Sequence, residues 1–195
     1  MSDIKRTTIC ASKYFSGEQI RRIYELGTHH FGENRVQDLI RKKNELRDLA
    51  ITWHFIGHLQ TNKVKDVLEH ISYLHTLDRI KLARTIEKYA KRPLKCLIQV
   101  NMTREPQKSG IEPEKLEEFL SEMKNYDRIE VIGLMTIGKA QDAKATERAF
   151  KGLSEWASRL ELPYLSMGMT EDYELALKYG ATHLRIGRKF LEMLE

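Results

Sequence analysis

Short runs of β-branched and aromatic residues alternate along the chain with longer segments whose apolar positions recur at helical spacing. Thr8 to Lys13 (TICASK) reads as a strand, and Ser16 caps a helix that runs to Leu26. His29 to Gly32 is the next short strand, followed by a strongly helical stretch from Arg35 to Leu49. Thr52 to Ile56 precedes a helix over Gln60 to Glu69, and Ile71 to His75 precedes one over Arg79 to Lys91. Leu94 to Val100 is the longest strand, with a helix from Pro113 to Asn125 after a loop. Glu130 to Leu134 leads to Ala143 to Leu160, and Pro163 to Ser166 leads to Glu171 to Tyr179. His183 to Ile186 and the stub Arg188 to Leu194 close the series.

Eight such units predict an α/β fold, a (β/α)₈ TIM barrel, at about 24 residues per unit and so near the small end for that architecture. A doubly wound open sheet would also alternate, but no GxGxxG follows the first strand. Proline is scarce and no Gly/Ser-rich linker, repeat or low-complexity tract interrupts the pattern, so residues 1–195 read as a single domain. A chain of this length buries enough surface to fold without a metal or disulfide.

Composition narrows the function classes. Charged residues make up 31% and apolar ones 41%, with 33 Lys and Arg against 28 Asp and Glu, a net charge of +5. The positive residues are spread along the chain; Arg41-Lys42-Lys43 and the stretch Lys88 to Lys95 read as solvated helix faces and a helix exit. With no series of aromatic residues interleaved among them, they argue against a dedicated nucleic-acid groove. No apolar run is long enough for a bilayer, and MSDIKRTTIC is not a secretory signal. Cys10 and Cys96 lack disulfide or metal spacing, which points to a reducing, cytoplasmic setting.

The chemistry concentrates where strands end. In a barrel, function gathers at the strand C-termini, and those positions here include Lys13, Asn34, His58, Thr76, Asn101, Met135-Thr136, Ser166 and Arg185. Ile9, Ala11 and Lys13 share one face of the first strand, which aims Lys13 with the barrel interior. A lysine there either snorkels into water or, desolvated or beside cations, becomes a Schiff-base nucleophile. Ser166-Met167-Gly168-Met169-Thr170 and Arg185-Ile186-Gly187-Arg188 each lie between a strand and a helix start. They are either glycine-bearing connectors or a phosphate site, which this fold commonly builds after strands seven and eight. His54 and His58 bracket a strand end with no carboxylate to complete a metal site, and they read as packed or hydrogen-bonded imidazoles. Trp53 and Trp156 read as core.

The segments FGENRVQ (31–37), WHFIGHLQTNKVK (53–65), LIQVNMTREPQKSGI (97–111), GLMTIG (133–138) and LSMGMTEDYELALKYGATHLRIG (165–187) closely resemble the pyridoxal-phosphate homeostasis proteins. That family is similar to the N-terminal barrel of alanine racemase, and the resemblance spans about residues 8 to 190. It implies pyridoxal 5′-phosphate as cofactor, held by Lys13 as an internal aldimine. It further implies Ser166, Gly187 and Arg188 at the phosphate, Arg185 facing the pyridine nitrogen, and Asn34, His58, Met135 and Met167 lining the pocket. Two departures stand out: the usual helix before the first strand is missing, and Arg188 occupies the position of a small hydroxylic residue.

An arginine opposite the ring nitrogen donates and cannot accept, which weakens the ring as an electron sink. No second domain supplies a tyrosine on the far side of a substrate. The resemblance therefore implies a cofactor carrier rather than an enzyme, a monomer that contributes to intracellular pyridoxal phosphate homeostasis and delivery to apo-enzymes, with no membrane or nucleic-acid partner. A weak racemase or other Schiff-base enzyme, and a basic anion-binding module, are the competing readings.

Overall fold

Every strand in the computed structural model, which describes residues 6–194, pairs in parallel with its successor, and the last returns to the first. The strands are β1 (Thr7–Ala11), β2 (His30–Glu33), β3 (Thr52–Phe55), β4 (Tyr73–Leu77), β5 (Leu94–Gln99), β6 (Ile129–Met135), β7 (Tyr164–Ser166) and β8 (His183–Ile186). The helices are α1 (Gly17–Glu25), α2 (Val36–Glu45), α3 (Val64–Val67), α4 (Ile80–Tyr89), α5 (Leu116–Met123), α6 (Ala143–Arg159), α7 (Tyr173–Lys178) and α8 (Arg188–Glu192). Thr7 to Cys10 pair in register with His183 to Ile186, which closes the ring and removes both sheet edges. This closure settles the choice between barrel and open sheet.

Local sequence explains most of the elements. At α1, Ser16 accepts from the Gln19 backbone N–H while the Gln19 side chain accepts from the Ser16 N–H, so a capping box starts the helix where the pattern places it. Ile20 and Ile23 then fall on one face and are fully buried. Leu82 and Ile86 of α4, and Phe150 and Leu153 of α6, repeat the arrangement in the layer between helices and barrel. At 25 cal/mol per Å² of apolar surface, each such side chain contributes about 1.5–3 kcal/mol.

The structure shifts several expected boundaries. β1 stops at Ala11, and Ser12 to Phe15 form a turn closed by the Phe15 N–H on the Ser12 carbonyl. The helix expected over 60–69 is a 3₁₀ turn at Thr61–Lys63 followed by the single turn α3. β4 begins at Tyr73, two residues later than the pattern of 71–75 implies. α2 ends at Glu45 rather than at Leu49. Among the described residues β1 is the first element, and no helix is long and apolar enough to cross a membrane.

One reading of the charge distribution is corrected. Lys42 is not solvated: its side chain is 1% exposed and its ammonium lies 2.6 Å from Glu33 Oε1, which is equally buried. The reason is geometric, because α2 packs Lys42 inward over the end of β2, where a carboxylate waits for it.

Candidate functional site

A hydrogen bond between β4 and β7 can only cross the barrel interior, since these strands are not neighbours. His75 Nδ1 makes such a bond to Ser166 Oγ at 2.8 Å. Ser166 Oγ also accepts from Arg185 Nη1 at 2.6 Å, and Arg185 Nη2 donates to the Thr136 carbonyl at 3.0 Å. Behind His75, its Nε2 meets His54 Nδ1 at 2.9 Å, and His54 Nε2 meets His30 Nδ1 at 3.0 Å. A polar line thus runs from the start of β2 to the end of β7. Beside it lies a small apolar cluster of Leu97, Ile132 and Met135.

The charge in this interior belongs to Arg185. Burial lowers its guanidinium to about 10, opposed by the field of Asp172, so it remains cationic at neutral pH. No carboxylate forms an ion pair with it among the described residues. The surrounding imidazoles are neutral: burial, and then neighbouring positive charge, pushes His54 and His75 well below their ordinary range. His183 falls to about 4, mainly through burial, and then through His30 and Arg185.

The expected site residues divide into a buried and an exposed set. Met135, Ser166, Met167 and Arg185 are all buried, with Met135 and Ser166 directly paired across β6 and β7. Lys13, Asn34 and His58 are exposed in strand-end loops, and Arg188 is exposed at the first position of α8. Gly187 lies between the two sets, and a Cβ there would meet nothing nearer than the Ala11 carbonyl oxygen at 3.5 Å. Arg185 pairs with Ile9 of β1, so the Lys13 turn and the Gly187 loop leave adjacent strands at the same end of the barrel.

Four details differ from the expectation. Lys13 sits in the turn beyond β1, so strand alternation does not point it inward; its Nζ rests 4.6 Å from the Tyr14 ring centroid. Ser166 is wholly enclosed, its hydroxyl engaged by His75 and Arg185. Arg188 is ion-paired with Glu171 on the surface. The two loops after β7 and β8 lead to helices of only six and five residues. Gly168 has φ +93°, a conformation that favours glycine, and its carbonyl accepts from the Arg185 N–H at 2.9 Å.

His58 lies over the ends of β3 and β4, its Nδ1 3.3 Å from Ser109 Oγ and 3.4 Å from Asp78 Oδ2. His54 belongs to the interior line, as a hydrogen-bonded imidazole, and no metal-type cluster occurs among the described residues. Sequence reasoning leaves His30 and His75 unremarked, places Lys42 on a solvated helix face, and does not anticipate the partnership of Ser12 with Glu33. The available signal was parity: His54 and His75 each stand at the third residue of a strand.

This geometry coincides with a known family. Residues 12–189 match the family model described as alanine racemase, N-terminal domain. The chain belongs to that family and, within it, to the pyridoxal phosphate homeostasis proteins. A protein of that name from Aquifex aeolicus is 41% identical over 187 residues, covering 91% of this chain and 82% of its own. Another from Pseudomonas aeruginosa is 36% identical over 185 residues, covering 92% and 80%. Among solved structures, PipY of Synechococcus elongatus PCC7942 without PLP superposes with TM-score 0.90 at 35% identity, covering 95% of this chain and 92% of that one. The same protein with PLP bound gives 0.86 at 33% identity, covering 97% and 93%. Alanine racemase from Corynebacterium glutamicum shares the fold at TM-score 0.74 and 14% identity, with 95% of this chain and 55% of that one covered.

Proposed function

We propose that this chain binds pyridoxal 5′-phosphate, holds it reversibly on Lys13, and serves to store and deliver it to apo-enzymes in the cytoplasm. The single observation that carries the reading is Arg185: a buried guanidinium with no carboxylate partner among the described residues, on the strand next to the one that leads to Lys13. Such a charge is complemented by an acceptor supplied from outside the chain. The relatives named for pyridoxal phosphate, and PipY with PLP bound, support the choice of ligand.

The residues fit the group. The Lys13 amine is exposed and makes no ion pair among the described residues, its recorded contact being the Tyr14 ring. Gly187 leaves open space beside Ala11, its backbone uncovered by any side chain of its own. When bound, the cofactor supplies an aldehyde that condenses with a primary amine and releases water. Lys13 would provide that amine, and Arg185 would donate to the ring nitrogen. Gly187 would give a phosphate close access to backbone N–H groups, with Arg188 as a nearby cation. Asn34, His58, Met135 and Met167 would bound the pocket. Ser166 is assigned here to hold Arg185, with any phosphate contact secondary.

Arg185 has donors and no acceptor, so a ring nitrogen facing it stays unprotonated and stabilises a carbanion poorly. The site thereby favours holding over turnover. Equilibrating the purified protein with pyridoxal 5′-phosphate tests the proposal: about one equivalent should be retained, with a visible absorbance band. Retention of none contradicts it.

A further inference from the structure

Arg185 carries its charge inside the barrel, and behind it stands a line of hydroxyl and imidazole groups rather than an anion. The direction of that line follows from donor and acceptor counting. Arginine only donates, so Ser166 Oγ receives Arg185 Nη1–H at 2.6 Å. The Ser166 side chain has one further partner among the described residues, His75 Nδ1 at 2.8 Å. Were His75 to donate there, the hydroxyl proton would be buried without an acceptor, a condition native interiors rarely contain. Ser166 must therefore donate to His75 Nδ1.

The remaining bonds fall into order. His75 and His54 are buried and neutral, so each has one N–H and one lone pair. With Nδ1 accepting, His75 carries its proton on Nε2 and donates to His54 Nδ1 at 2.9 Å. His54 then donates from Nε2 to His30 Nδ1 at 3.0 Å. Each acceptor nitrogen faces the arginine end of the line, so the dipoles align and polarise one another.

We propose that His75, backed by His54 and His30, is a positioning residue that orients Ser166 and supplies a neutral, dipolar counterweight to the Arg185 charge. A carboxylate in the same place would neutralise the guanidinium and claim its donors. The imidazole line fixes one edge of Arg185 and leaves its charge undiminished for a ligand acceptor. His183 adds no competing charge, being neutral with its Nδ1 2.9 Å from Thr182 Oγ1. Asp172 acts on Arg185 only from beyond ion-pair distance. The ligand part of this inference rests on the cofactor reading above, whereas the proton arrangement does not.

The test begins with the intact protein, labelled with ¹⁵N and free of added ligand. Long-range ¹H–¹⁵N correlation through the ring protons shows which imidazole nitrogen is protonated. His54 and His75 should both carry the proton on Nε2, and a proton on Nδ1 of His75 overturns the proposal. The second arm compares His75→Leu with His75→Gln, whose amide can still accept from Ser166 and donate to His54. With pyridoxal 5′-phosphate as probe, the leucine variant should bind at least tenfold more weakly and shift the absorbance maximum of the bound cofactor. The glutamine variant should recover most of both. A folded leucine variant with parental affinity and spectrum overturns the positioning role. If the leucine variant fails to fold, the proton assignment in the parent decides the matter. Absence of binding by the parent overturns the cofactor reading, and the proton assignment then decides the line itself.

Discussion

The ammonium of Lys42 donates to the carbonyl oxygen of Ser12 at 2.6 Å, one peptide before Lys13. The same ammonium reaches Glu33 Oε1 at 2.6 Å, and Ser12 Oγ donates to that oxygen at 2.7 Å. A buried ion pair thus clamps the backbone from which the exposed lysine projects. Glu33 Oε2 has no hydrogen-bond partner, so the carboxylate depends heavily on Lys42.

Removing the cation should be costly for that reason. Lys42→Met leaves a buried carboxylate uncompensated, and urea unfolding at neutral pH should show a loss of about 3–5 kcal/mol. Combining it with Glu33→Leu should recover part of that loss. A single-variant loss below about 1 kcal/mol would show that the pair does not hold this region together.

Acid should weaken the fold before carboxylates titrate. His54, His75 and His183 have folded values below their unfolded value, so the unfolded chain binds more protons as pH drops below about 6.5. Their stabilisation is complete above that pH and declines as pH falls toward the folded values. For His183, with a folded value of about 4, the full loss is roughly 3 kcal/mol. Urea midpoints measured from pH 7.5 to 5 should fall steadily below 6.5, and less so in His183→Gln. A flat profile over that range would mean that these imidazoles take up protons in the folded barrel as readily as in the unfolded chain.

Cys10 and Cys96 are fully buried, and burial pushes both thiols up and away from reactivity. An aromatic disulfide reagent should leave both unlabelled in the native protein and label both in urea. Rapid labelling without denaturant would reveal opening of the barrel wall.

Much of the architecture was legible because it is written locally. The Ser16 and Gln19 cap, the Ile20 and Ile23 face, and the Leu82 and Ile86 face are short-range patterns that determine helix position directly. The closure of β1 on β8 was reached by counting units, since no local signal announces it. Lys42 was misread because helical charge runs are usually solvated, and its partner Glu33 arrives from a neighbouring strand. The interior line was invisible for a similar reason: His30, His54, His75, Ser166 and Arg185 come from five different strands. Lys13 is singled out by its residue type at a strand end, although its expected orientation depends on a strand that reaches two residues beyond the end of the one that forms.

Turnover offers a further check. If Arg185 faces the ring nitrogen and Lys13 is the one proton-transfer group, as proposed, α-proton exchange should be slow. Incubating the cofactor-loaded protein with L-alanine in deuterated water should give negligible D-alanine by NMR. Rapid exchange with accumulation of the D-isomer would instead favour a racemase on this scaffold.

The most direct measurement concerns Lys13 itself. Borohydride reduction of the cofactor-loaded protein, followed by peptide mass mapping, should place the pyridoxyl mass on Lys13. Lys13→Ala should lose both the adduct and the visible band while unfolding within about 0.5 kcal/mol of the parent, because the side chain is exposed. Recovery of the adduct on another lysine, or an unchanged band in Lys13→Ala, would contradict the account.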